Sequence, residues 1–171
     1  MTYKQILTRE MYELSRHPKV RFIGYNVAYG PRFNGTLNRV PKSKCIEMPV
    51  AENLIMGVAM GLSLEGYRPI VCIERTDFLL VCADAIINHL CKLPKISNDQ
   101  FNFAVIIRTC VGGVEPLDPG PQHTQDLGYM FAPYMDVSGM KQKSMIHDKY
   151  TQAMCLGKPT MLIEYRELYD T

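Results

Sequence analysis

CIEMPVAENLIMGVAMGLSLEGYRPIVCIE, residues 45–74, reads as a strand, a helix and a second strand. Cys45 to Met48 is a short apolar run closed by Pro49; residues 52–66 carry a helical pattern that stops at Gly66; Pro69 to Glu74 is apolar and β-leaning again. Two strands joined through a helix within about 30 residues form a βαβ unit, and strands connected in that way run parallel.

Upstream, Ile6, Leu7, Met11 and Leu14 recur at helical spacing before Pro18 and predict a helix over Tyr3 to Arg16. VRFIGY (Val20 to Tyr25) predicts a buried strand ending near Gly24, and the Gly, Pro and Asn-rich residues 28–44 predict a long surface loop. Downstream, a helix is expected from Phe78 to Leu93, up to Pro94. A very hydrophobic strand follows at Phe103 to Thr109, then a loop over 110–126. A weaker strand, YMDVSG (134–139), a helix from Ser144 to Leu156 with Gly157 just beyond it, and a strand from Thr160 to Tyr165 complete the chain.

Strands that alternate with helices and are apolar on both faces imply a parallel sheet covered on each side. The expected fold is therefore α/β, a three-layer α/β/α sandwich with a mainly parallel sheet of about six strands. Such sheets place ligand sites beyond the carboxyl ends of their strands. The loops there hold Glu52, Phe78 and His123.

Composition narrows the function classes. At 171 residues and 47% hydrophobic content the chain can bury one substantial core, so one domain over 1–171 is expected. A net charge of +2, with no Lys or Arg run longer than two, argues against nucleic acid or an anionic membrane as partner. Cys45, Cys72, Cys82, Cys91, Cys110 and Cys155 form no CxxC pair and stand beside no His at metal-ligand spacing. They read as reduced core residues of a cytoplasmic protein, with a disulfide framework as the alternative. The first residues show no signal peptide, no apolar stretch is long enough to span a membrane, and the end of the chain just after its last strand suggests a full gene product. GxxxxGK[ST], GxGxxG opening a helix, GxSxG and HExxH are all missing. The architecture alone would still permit a flavodoxin-like or receiver-type module.

Four segments carry a family likeness: residues 1–27, MTYKQILTREMYELSRHPKVRFIGYNV; residues 40–78, from VPKSKCIEMPVAEN to ERTDF; ADAIINHLCKLP (83–94); and FAVIIRTCVGG (103–113) followed by GPQHTQD (120–126). In this order and spacing they closely resemble the pyrimidine-binding domain of the transketolase-like thiamine-diphosphate enzymes, nearest to the beta subunits of 2-oxo acid dehydrogenase decarboxylase components. The resemblance implies that Glu52 hydrogen-bonds the N1′ nitrogen of the cofactor's aminopyrimidine. A partly desolvated carboxylate of raised pKa there favours the 4′-imino tautomer, which removes the proton from C2 of the thiazolium. It also implies that Phe78 packs on the pyrimidine and that His123 faces the substrate and its adducts. Each residue has a plainer alternative: an acid favoured by a helix dipole for Glu52, a core phenylalanine for Phe78, a solvated loop histidine for His123. His17, His89 and His147 stand in no such context.

The likeness further implies thiamine diphosphate as cofactor, with its diphosphate and Mg²⁺ held by a partner subunit, because the family's GDG segment with paired asparagines and its C-terminal domain do not occur in this chain. Gly57 and Gly61, one turn apart on a helix, suggest either self-association through that helix into a heterotetramer or tight packing on its own sheet. The expected activity is that of a split enzyme acting on a small-molecule carbonyl substrate. Decarboxylation of a 2-oxo acid with acyl or aldehyde transfer comes first, transketolase-type ketol transfer second, and a non-catalytic scaffold or regulatory subunit is the rival of another class. Tyr25 and Asn26 occupy the position of an acidic pair in the beta subunits, so a proton relay through that position is not carried over.

Overall fold

A computed structural model describes residues 1–171. Six strands, β1 (Val20–Gly24), β2 (Cys45–Glu47), β3 (Arg68–Ile73), β4 (Ile106–Val111), β5 (Asp136–Gly139) and β6 (Thr160–Tyr165), form one sheet in the order β2-β1-β3-β4-β6-β5. Every neighbouring pair is parallel.

Successive strand residues point to opposite faces, and both faces are apolar. On one side Phe22, Cys72, Ile106 and Leu162 pack with Leu7 and Met11 of α1 (Tyr3–Ser15) and Ile146 and Tyr150 of α4 (Lys143–Leu156). On the other, Ile23, Val71, Ile107 and Ile163 pack with Ile55, Met56 and Ala59 of α2 (Glu52–Leu64) and with Ile86 and Leu90. The result is the three-layer sandwich expected. Helix α1 starts at a capping box, with the Thr2 hydroxyl accepting from Gln5 N–H and the Gln5 side chain accepting from Thr2 N–H. Helix α4 stops where Gly157 turns left-handed at φ 60°.

The segment expected as one helix over 78–93 is wound differently. A 3₁₀ stretch covers Thr76–Cys82, a π-helix covers Ala85–Cys91, and a short helix, α3, covers Leu93–Ile96. Its first turn is tied sideways: Thr76 Oγ1 donates to the Gln125 carbonyl and Gln125 Nε2 donates to Asp77 Oδ1 at 3.2 Å. Three successive windings thus replace the single helix, with the hydrogen bonds to Gln125 at the first of them. Strand β4 also begins later than Phe103, although Phe103 and Val105 are buried.

Residues 28–44, expected at the surface, instead contribute to the core. Val27, Ala28, Phe33, Thr36, Leu37 and Val40 are buried, and only Lys42–Lys44 form a short 3₁₀ turn. Buried loop backbone needs hydrogen-bond partners. Glu47 at the end of β2 accepts from the backbone N–H groups of Asn26, Val27 and Ala28 at 2.6, 3.0 and 2.7 Å. Arg32 donates to the carbonyls of Val27, Asn38 and Val40. Below the loop, Arg108 of β4 and Glu164 of β6, both 0% exposed, pair through Nη2 to Oε2 at 3.1 Å and Nε to Oε1 at 2.5 Å. The Arg108 guanidinium also donates to Thr36 Oγ1 at 2.7 Å and lies over the Phe33 ring, while Tyr169 donates to Glu164 at 2.6 Å. This cluster ties the loop to the middle of the sheet.

All six cysteines are free, and Cys72, Cys82 and Cys110 are buried. Cys45 and Cys91 are half-buried, and Cys155 on α4 is exposed, which departs from the expectation of six core thiols. Gly57 and Gly61 do not pack on the sheet: both are exposed, and a Cβ at either would meet nothing within 4 Å. No helix is long and apolar enough to cross a membrane.

Two outcomes are expected. Glu164→Ala strands the Arg108 charge in the core and lowers unfolding stability by about 3–5 kcal/mol, measured by urea denaturation. Burial pushes the Cys72, Cys82 and Cys110 thiols from an ordinary 9.0 up to about 12, helped at Cys82 by the Glu52 charge. The unfolded chain releases those protons first, so stability is full below pH 9 and falls as pH climbs from 9 towards about 12. Cys82→Ala should flatten part of that fall in the urea midpoint.

Candidate functional site

All strands point the same way, so their exits share one edge of the sheet, and a cleft of about 350 Å³ opens there. Four exits contribute. Tyr25 follows β1, Val50 and Glu52 follow β2, Glu74, Arg75 and Phe78 follow β3, and His123 comes from the loop after β4. The three residues singled out in the sequence therefore line one cavity although they are far apart in the chain. His17, His89 and His147 lie elsewhere.

Glu52 is the first residue of α2, half-buried, and its carboxylate takes part in none of the chain's ion pairs. Pro49 ends the β2 segment, and Ala51 enters the helix without a side-chain cap, so Glu52 stands at the exposed N–H end of α2. Ile55, one turn on, forms apolar wall beside it. A carboxylate with no protein partner, beside apolar surface, can accept from or share a proton with a ring nitrogen of a ligand.

Phe78 is half-buried. Its ring meets that of His123 edge-on, with centroids 5.4 Å apart at 89°. The T-shaped contact holds the imidazole beside the phenyl ring in the wall of the cleft. The His123 segment is close-packed against the end of β4. A Cβ built on Gly112 would run into the His123 carbonyl and approach Arg75 Nε to 3.2 Å, so only glycine fits there.

Tyr25, Glu74 and Arg75 were not singled out as site residues from the sequence. Tyr25 is 41% exposed at the rim, set by Asn26, whose left-handed φ of 57° turns the chain and whose Nδ2 donates to Glu74 Oε1 at 3.2 Å. The position of these residues just past strand ends was the available signal. The chain contains no cluster of three or more His, Cys, Asp or Glu suited to a metal ion.

Comparisons with known proteins agree with this geometry. The family model for the transketolase pyrimidine-binding domain matches residues 1–112. The pyruvate dehydrogenase E1 component subunit beta of Staurastrum punctulatum is 32% identical over 164 residues, covering 92% of this chain and 49% of the relative. The 2-oxoisovalerate dehydrogenase subunit beta of Bacillus subtilis is 27% identical over 124 residues, covering 70% of this chain and 37% of the relative. The chain thus spans about half, or less, of the length of these curated relatives. Among solved structures, a split-gene transketolase in an inactive beta4 tetramer superposes with a TM-score of 0.72 at 20% identity, covering 97% of this chain and 52% of that one; at such identity the likeness shows the shared fold. With the six-stranded parallel sheet and the family match over residues 1–112, the chain belongs to the transketolase pyrimidine-binding domain family.

Proposed function

We propose that this chain supplies the pyrimidine half of a thiamine-diphosphate site in a split, heteromeric enzyme acting on a 2-oxo acid, with decarboxylation followed by acyl or aldehyde transfer. The observation that carries the reading is the convergence of Glu52, Phe78 and His123, from three separate strand exits, on one cleft. Similarity to beta subunits of pyruvate and 2-oxoisovalerate dehydrogenases supports the substrate class.

In this reading Glu52 hydrogen-bonds the far ring nitrogen of the aminopyrimidine and holds or gives up a proton there. Phe78 offers its face to the ring and fixes its tilt. His123, held against Phe78, donates to or accepts from oxygen atoms of the substrate. The cofactor, when bound, supplies an acidic thiazolium C–H that becomes a nucleophile towards carbonyl carbon. Its diphosphate and Mg²⁺ fall, in this reading, to a partner chain.

Self-association through α2 belongs to the same proposal. Leu54, Gly57, Gly61 and Leu64 are exposed along one face of the helix, beside exposed Leu80 and Val81. Without side chains at 57 and 61, two copies of α2 can approach closely, and the beta4 assembly of the structural neighbour fits a second copy of this chain as the occupant. The GPQH string and the same neighbour also favour a second reading, ketol transfer of the transketolase kind.

The decisive variant is Glu52→Gln in the cofactor-loaded complex. Exchange of the cofactor's C2 proton for deuterium should slow by about 10²–10⁴-fold, while the unfolding free energy from urea denaturation stays within about 0.5 kcal/mol of the parent. Exchange at the parental rate would refute the assignment of Glu52.

A further inference from the structure

The cleft contains a positive charge that cofactor activation does not use. Arg75 is the second residue past β3, half-buried, in the same wall as Glu52, Phe78 and His123. Its Nη1 donates to the Glu74 carbonyl at 2.9 Å. Its Nε is shielded from solvent and has no hydrogen-bond partner, and no carboxylate lies within 4.0 Å of the guanidinium. The buried arginine, Arg108, has a bidentate carboxylate. The Nη2 group and the second Nη1 hydrogen of Arg75 are thus left for something that enters the cleft, while its shielded Nε–H, without a partner, is costly to keep.

Gly112 places that charge relative to the chemistry. Because the missing Cβ lets Arg75 Nε and the His123 carbonyl both close on the same backbone atom, the guanidinium and the imidazole loop occupy one wall of the cavity. A planar, permanently charged fork suits a carboxylate or a phosphate. The carboxylate leaving as CO₂ is the wrong occupant, since pairing it with an arginine stabilises the ground state against the loss of that charge.

We infer that Arg75 selects a substrate that carries, besides its reacting carbonyl, a second anionic group, carboxylate or phosphate, which the guanidinium pairs with in the cleft. This inference rests on the proposed function above. Arg75 is on this account a specificity-determining residue, and the neutral-tailed 2-oxo acids are the poorer substrates.

The test uses the full chain uniformly labelled with ¹⁵N, following the arginine side-chain Nε–H signals and those of His123 during titration with succinate, inorganic phosphate and, as neutral control, dimethyl succinate. A saturable shift of the Arg75 signal with succinate identifies a carboxylate, and one with phosphate a phosphate; the diester gives none. Arg75→Met should weaken that binding, followed through His123, by at least about tenfold, and Arg75→Lys, which keeps the charge without the fork, should restore part of it. Failure of both anions to saturate, or equal affinity in Arg75→Met, overturns the inference. The C2-exchange test on the cofactor-loaded complex separates the two claims: slowed exchange in Glu52→Gln without any anion response leaves the cofactor reading standing and removes Arg75 from it, whereas an anion response with parental exchange in Glu52→Gln keeps an anion site and removes the cofactor reading.

Discussion

A parallel sheet sealed on both faces leaves a chain little choice about where to put its chemistry. Each strand must be re-entered from the same end, so each exit empties over the same edge, and the helices that cover the faces start there with free N–H groups. In this protein that constraint brings residues from positions 25, 52, 78 and 123 into one cavity without any direct sequence linkage between them. Strands β1, β3 and β4 are each buried at all positions but one, and three of the four contributing exits belong to them. The site is therefore carried by the rigid part of the fold.

Charge stabilises that edge in two different ways. Arg108 and Glu164 lie deep under the 27–40 loop, where breaking the pair would leave an ion without solvent; they fix which way the loop folds over the sheet. Glu47 lies nearer the rim and gathers successive backbone N–H groups of residues 26–28, which fixes the turn that presents Tyr25. Glu52 and Arg75 differ from these in kind, since neither has a counter-charge within the chain. The partnered charges build the cleft, and the unpartnered ones are available to what binds in it.

The βαβ unit at 45–74 was legible because its two periods, its proline and its glycine all agree, and Glu52 followed as the acid at the helix start. The winding of 76–91 was not legible. Leu79, Cys82, Ile86 and Leu90 recur at a spacing that α, 3₁₀ and π forms all satisfy locally, and the hydrogen bonds of Thr76 and Asp77 to Gln125, nearly 50 residues away, leave no local trace. Residues 28–44 misled for a related reason. Gly, Pro and Asn mark irregular backbone, but burial depends on Glu47, Arg32 and Arg108 supplying hydrogen bonds, and those partners are set by tertiary structure. Arg75 escaped notice because an arginine after a strand is ordinary in sequence and unusual only once its lack of a carboxylate is seen.

The central claim is a contact between one carboxylate and one ring nitrogen. It is tested most directly by a structure of this chain with thiamine diphosphate and the chain that holds the diphosphate. The account predicts a Glu52 carboxylate oxygen within about 3 Å of the pyrimidine nitrogen, with the ring against Phe78. A ring bound elsewhere, or Glu52 turned to bulk water beside an occupied site, would contradict it.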